Sequence, residues 1–177
     1  LRDVYKRQAL AYSLRMQDKA VGAEFYGGWK ATEDVKVNDR LVTAWQLLFL
    51  RSMQLRGRSI PKNAPANALL FLEGSQKAPG GGKEFDKSEL GGFSYDAAGL
   101  PVPLISGAGL CLMGAYDRQE NRRNLALGWL ERNRPVWFGP NFYTCHFFTA
   151  RAYAREGGRG YSAERAQYFS RIAAILL

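Results

Sequence analysis

Pro103-Leu104-Ile105-Ser106-Gly107-Ala108-Gly109-Leu110-Cys111-Leu112-Met113-Gly114-Ala115-Tyr116 carries no charged residue from end to end. Its apolar positions neither alternate, as a half-buried strand's would, nor gather on one face, as a surface helix's would. The predicted element is a helix entered at Pro103 and apolar on every side, which must be surrounded by protein. Two other stretches share this character, 38–56 (Asn38-Asp39-Arg40-Leu41-Val42-Thr43-Ala44-Trp45-Gln46-Leu47-Leu48-Phe49-Leu50) and 141–155 (Asn141-Phe142-Tyr143-Thr144-Cys145-His146-Phe147-Phe148-Thr149-Ala150). Between them lie amphipathic segments, 61–73, 119–133 and 162–177. In 119–133, Leu125, Trp129 and Leu130 share one face, leaving Glu120, Arg122, Arg123 and Arg132 largely to solvent. In 162–177, Tyr168, Phe169, Ile172 and Leu176 form a stripe, with Ser162 placed to cap.

The punctuation agrees with this count. Pro61 and Pro103 suit first turns, Gly57 and Gly157-Gly158 suit helix exits, and Gly80-Gly81-Gly82 marks an exposed loop. No segment alternates as a strand. An up-and-down bundle makes every helix amphipathic, whereas here wholly apolar and one-faced helices take turns, which predicts an all-α chain of helical hairpins with inner helices wrapped by outer ones. An internal repeat supports the same reading. Phe25-Tyr26-Gly27-Gly28-Trp29, followed by Thr43-Ala44-Trp45, is echoed by Leu90-Gly91-Gly92-Phe93-Ser94-Tyr95, followed by Ser106-Gly107-Ala108, and more faintly by Trp137-Phe138-Gly139 running into Phe147. Helical repeats of this length are stacked units that cannot bury their faces alone.

Gly-Gly-Trp or Gly-Gly-Phe, a loop, then a small residue opening an apolar helix resembles the repeat of the squalene cyclase and prenyltransferase superfamily. The resemblance implies an α/α toroid of inner and outer helices, and residues 9–177 would make about half of one, cut at both ends. Phe147 to Gly158 is similar to the last repeats of bacterial members. The implied activity is isoprenoid cyclisation or isoprenoid binding, with an aromatic cavity at the inner-helix starts. Tyr26, Tyr95, Trp137, Tyr143 and His146 are the candidates for its wall, because aromatic faces stabilise cations. The Gly-Gly-aromatic element is also a packing staple in this family, the reading preferred for Trp29 and Phe93. The alternative is a non-catalytic toroid that binds a hydrophobic ligand or a partner protein.

The chemistry such enzymes need is sparse here. A cyclase's Asp-x-Asp-Asp acid is absent from this sequence, so the resemblance puts the acid outside it. The nearest acidic group is Glu33, Asp34 and Asp39, and Asp39 is the weak candidate for a catalytic acid beside a simpler reading as a helix cap. The prenyltransferase zinc set is broken, since Leu41 stands where its Cys belongs. Adjacent Cys145 and His146 point about 100° apart on a helix and cannot jointly chelate one ion. No metal or cofactor is therefore expected, and Cys111 reads as core. With one His and no Gly-x-Ser-x-Gly elbow, a serine or cysteine triad lacks its framework, and Gly80-Gly81-Gly82-Lys83 is no phosphate loop without a preceding strand.

Length and charge close the bounds. The chain has 177 residues with two Cys, too few for a disulfide scaffold, and 46% apolar residues, enough for a core. Leu1–Gln8 reads as the translation of a sequencing-library end. That octapeptide holds Arg2, Lys6 and Arg7 against Asp3, so the formal +9 falls to about +7 without it. The arginines are scattered over helix ends without interleaved aromatics, which argues against nucleic acid and leaves a mildly basic surface suited at most to peripheral contact with an anionic membrane. No apolar run reaches the roughly 18 residues of a membrane span.

Overall fold

A computed structural model of the chain describes residues 2–19, 26–79, 86–96, 98–135, 141–156 and 163–176. The described chain is mostly helical: α1 (Arg2–Met16), α2 (Arg40–Leu55), α3 (Asn63–Glu73), α4 (Pro103–Ala115), α5 (Glu120–Arg132), α6 (Phe142–Glu156) and α7 (Ala163–Leu176). Two short strands, β1 (Trp29–Lys30) and β2 (Asn38–Asp39), pair antiparallel, Trp29 opposite Asp39. The all-α class expected from the apolar periodicity is found. No helix among the described residues is long and apolar enough to cross a membrane.

The chain divides into two compact units. One holds 1–75 with 95–99, the other 76–94 with 100–177. In the first, α3 and the small ribbon pack on α2. The α2 core face is Thr43, Ala44, Leu47, Leu50 and Met53, a spacing of three and four that sets one stripe inward. In the second, α5 and α6 both pack on α4, and every residue of α4 from Leu104 to Ala115 is buried. Pro103 opens α4 as its fixed φ favours. Of three helices expected to be covered on all sides, only α4 is. On α2, Trp45 remains 42% exposed, and on α6 Tyr143 and Phe147 remain 80% and 38% exposed. The physical reason is that the packing partners of α2 and α6 leave one side of each helix open, whereas those of α4 cover it all round. Arg123 of α5 is a second correction: it is buried, and its guanidinium lies 3.5 Å from the buried Glu156 carboxylate of α6 and 3.0 Å from Asp117. None of residues 3–8 of α1 is buried.

Each unit contains one copy of the same backbone staple. In the first, the Gln17 side chain donates to the carbonyls of Gly27 and Ala64, both at 2.8 Å. The Asp18 N–H donates to Gly28 O, and the Gly27 N–H to Asp18 O. The Trp29 N–H then donates to the Thr43 hydroxyl at 3.0 Å. In the second, Gln76 donates to the carbonyls of Gly91 and Arg122, at 3.3 and 2.9 Å. Lys77 exchanges the same pair of backbone bonds with Gly92 and Gly91, and the Phe93 N–H donates to Ser106 Oγ at 2.8 Å. Gly27 and Gly91 have φ of +89° and +96°, a region side chains avoid, and each presses on a carbonyl of the helix behind it, Asn67 and Leu125 respectively. The next glycine of each pair accepts an aromatic ring, Phe71 against Gly28 and Trp129 against Gly92. Trp29 and Phe93 are buried. The repeat in the sequence is thus a repeat of hydrogen bonds: a buried amide ties the loop to the helix behind, and a hydroxyl on the following helix accepts from the aromatic residue.

Candidate functional site

α6 begins with aromatic residues because its start faces two ways. His146 and Tyr153 turn toward α7, while Tyr143 and Phe147, a turn apart on α6, stay at the surface. The buried side is a ring cluster. His146 Nδ1 is 2.7 Å from the Tyr168 hydroxyl. The His146 ring lies 4.5 Å from Phe142 and 5.6 Å from Tyr168, stacked on the latter. Tyr153 meets Tyr168 edge-on at 5.2 Å. Cys145, His146, Thr149, Tyr153 and Tyr168 are all buried.

Burial sets the electrostatics of this cluster. It pushes the Cys145 thiol up to about 11, against a smaller opposing hydrogen bond to Thr149. It also drives the Tyr168 hydroxyl far above its ordinary range, with Cys145 and Tyr153 adding to the effect and Thr149 opposing it. Both groups therefore keep their protons at neutral pH. His146 Nδ1 and the Tyr168 hydroxyl share a hydrogen bond whose direction follows the imidazole tautomer, and the same hydroxyl lies 3.5 Å from the His146 carbonyl oxygen, to which it can donate. A protonated, enclosed thiol is a poor nucleophile. The cluster ties α7 to α6 through packed rings and the His146–Tyr168 hydrogen bond.

The remaining candidates sit elsewhere. Asp39 is the N-cap of α2, its carboxylate accepting from the Val42 N–H at 2.8 Å. Tyr26 accepts from the Asn67 side chain of α3 at 2.7 Å. Tyr95 has an exposed ring, and its carbonyl accepts from the buried Arg40 guanidinium, which lies 4.8 Å from the centre of the Phe71 ring. Trp137 lies outside the described residues, as do Phe138, Ser162 and Gly80-Gly81-Gly82. Glu33 lines an open cavity of about 600 Å³ with Arg15, Met16, Asp18 and Lys30, and Asp39 is not part of that wall. Thus Tyr26 and Tyr95 belong to the first unit, and Tyr143 and His146 to the second. Both cysteines are free thiols. Among the described residues no three His, Cys, Asp or Glu side chains converge on a metal-sized site.

Gln17 and Gln76 were not among the residues that sequence reasoning singled out. In both copies the Gln precedes the residue whose backbone pairs with the Gly-Gly element, a relation that appears only in the fold. No protein-family model, no curated protein and no solved structure matches this chain.

Proposed function

We propose that the chain is a helical-hairpin repeat of the squalene cyclase and prenyltransferase kind, forming part of an α/α toroid that holds a hydrophobic ligand of the isoprenoid class. The observation that carries this reading is the duplicated staple: the Gly-Gly-aromatic element behind the resemblance recurs with the same hydrogen bonds at Gly27-Gly28-Trp29 and Gly91-Gly92-Phe93. Such staples hold a loop against the start of the next helix, the end that the resemblance assigns to a cavity wall. Tyr143 and Phe147 support the ligand class, because two large rings left at the surface on successive turns of one helix favour an apolar guest. The role proposed for this chain is binding. Cyclisation needs a strong acid, and Asp39 is engaged as a helix cap. In the first unit, exposed Val37, Trp45 and Leu55 favour the second reading, a surface for a partner protein.

The test is a titration of the chain with farnesol, followed by tryptophan fluorescence, beside the Tyr143→Ala/Phe147→Ala variant. Saturable binding, weakened about tenfold or more in the variant, supports the proposal; each apolar ring removed from a contact forfeits on the order of 1.5–3 kcal/mol. Absence of saturable binding in a chain that melts cooperatively would overturn it.

A further inference from the structure

A second site lies on another part of α6. Arg151 and Arg155 stand one turn apart there, and among the described residues neither has a carboxylate partner. Both are nonetheless held in place. The Arg155 guanidinium donates to the Ala115 carbonyl at the end of α4, at 3.4 Å, and Arg151 lies 5.4 Å from the centre of the Phe147 ring. Gly114 gives the Arg155 stem its course, since a side chain there would stand 3.0 Å from Arg155 Cδ. Beside the two cations opens a cavity of about 310 Å³, walled by Arg151, Ala154 and Arg155 of α6 and by Cys111 and Ala115 of α4. The adjacent acid, Glu156, is buried and faces Arg123 at 3.5 Å.

Two like charges at this spacing repel on a bare helix surface, and an anion between them reverses the sign. Guanidinium forks match the oxygens of a phosphoryl group in two-point contacts, which ammonium groups do not. The volume is at the lower end of the roughly 300–1,000 Å³ of small-molecule sites, so it has room for an organic part as well as an ion. That room is lined by the methyls of Ala115 and Ala154 and the thiol of Cys111. We propose that this cavity binds a small phosphorylated molecule, its phosphoryl group between Arg151 and Arg155 and its organic part against Cys111 and Ala115. The site uses none of the residues that carry the isoprenoid reading as ligand contacts except Phe147, which supports Arg151, and either proposal can fail while the other stands.

Calorimetric titration of the full chain with inorganic phosphate and with phenyl phosphate tests it, beside Arg151→Gln/Arg155→Gln and a control, Lys62→Gln, at an exposed position of the other unit. The expected result is one saturable site, tighter for phenyl phosphate, weakened at least tenfold in the double variant and unchanged in the control. Phenyl phosphate should also slow modification of Arg151 and Arg155 by phenylglyoxal in the wild-type chain, read by peptide mass, a measurement that needs no variant to fold. No saturable heat with either probe overturns the proposal, and so does binding that survives loss of both arginines. Equal affinity for the two probes overturns the assignment of the organic part to this cavity.

Discussion

Replacing Gly91 by Ala tests the staple directly, because the structure separates two effects that a single substitution would mix. The first is conformational: φ at Gly91 is +96°, and forcing an L side chain into left-handed backbone costs about 1–2 kcal/mol. The second is steric. A Cβ on Gly91 would stand 2.0 Å from the Leu125 carbonyl oxygen and 2.4 Å from its carbon, and these are α5 backbone atoms that cannot rotate aside. Overpacking of that kind adds about 1–3 kcal/mol, so Gly91→Ala is expected to destabilise by about 2–5 kcal/mol. Gly57 supplies the control. Its φ is +74°, but nothing lies within 4 Å of a Cβ built there, so Gly57→Ala carries the conformational part alone, about 1–2 kcal/mol. Gly27→Ala, with φ +89° and a Cβ 2.4 Å from the Asn67 carbonyl oxygen, should fall with Gly91→Ala. The assay is urea unfolding with the denaturant slope held fixed across the set. If Gly91→Ala and Gly27→Ala cost no more than Gly57→Ala, the glycines are not pressed on the helices behind them, and the staple argument fails.

Three further outcomes follow from the same geometry. Trp129→Ala removes a buried ring packed on Gly92 and should destabilise by about 3–5 kcal/mol, whereas Trp45→Ala, at a 42% exposed position, should stay below about 1 kcal/mol; equal effects in thermal melts would remove the distinction between covered and open faces. Gln76→Ala takes a buried donor from two carbonyls and should cost about 1–3 kcal/mol, measured by urea unfolding, with Gln17→Ala matching it if the two copies are equivalent. Stability should also fall in alkaline solution. The folded Cys145 thiol holds its proton up to about 11 against an ordinary 9.0, so the stabilisation is complete below pH 9 and is lost as pH rises through about 11, with Tyr168 adding a loss above its ordinary 10.0. Urea midpoints between pH 8 and pH 11 check this: Cys145→Ala should fall less steeply, and a flat wild-type profile would refute it.

Why some of this was legible in the sequence and some was not comes down to how far apart the partners lie along the chain. Helix positions followed from local apolar periodicity, and Pro103 sat where its ring geometry put it. The Gly-Gly-aromatic pairs were visible because their residues are adjacent. Gln17 and Gln76 escaped because their separations from the first glycine, 10 and 15 residues, differ between the copies, so no fixed spacing marks them. Arg123 was assigned to solvent because helix periodicity prices a charge by its own helix alone; the Glu156 carboxylate that holds it comes from α6. The same limit applies to Arg151 and Arg155. On α6 they read as ordinary exposed cations, and only α4, bringing Cys111 and Ala115 alongside, turns the pair into one wall of a cavity. Their acidic neighbour Glu156 is drawn instead to the buried Arg123, and removing one partner from such a pair costs about 3–5 kcal/mol. That pairing turns the Glu156 carboxylate toward Arg123, so the ion pair that joins α5 to α6 also leaves the α6 cavity its positive charge.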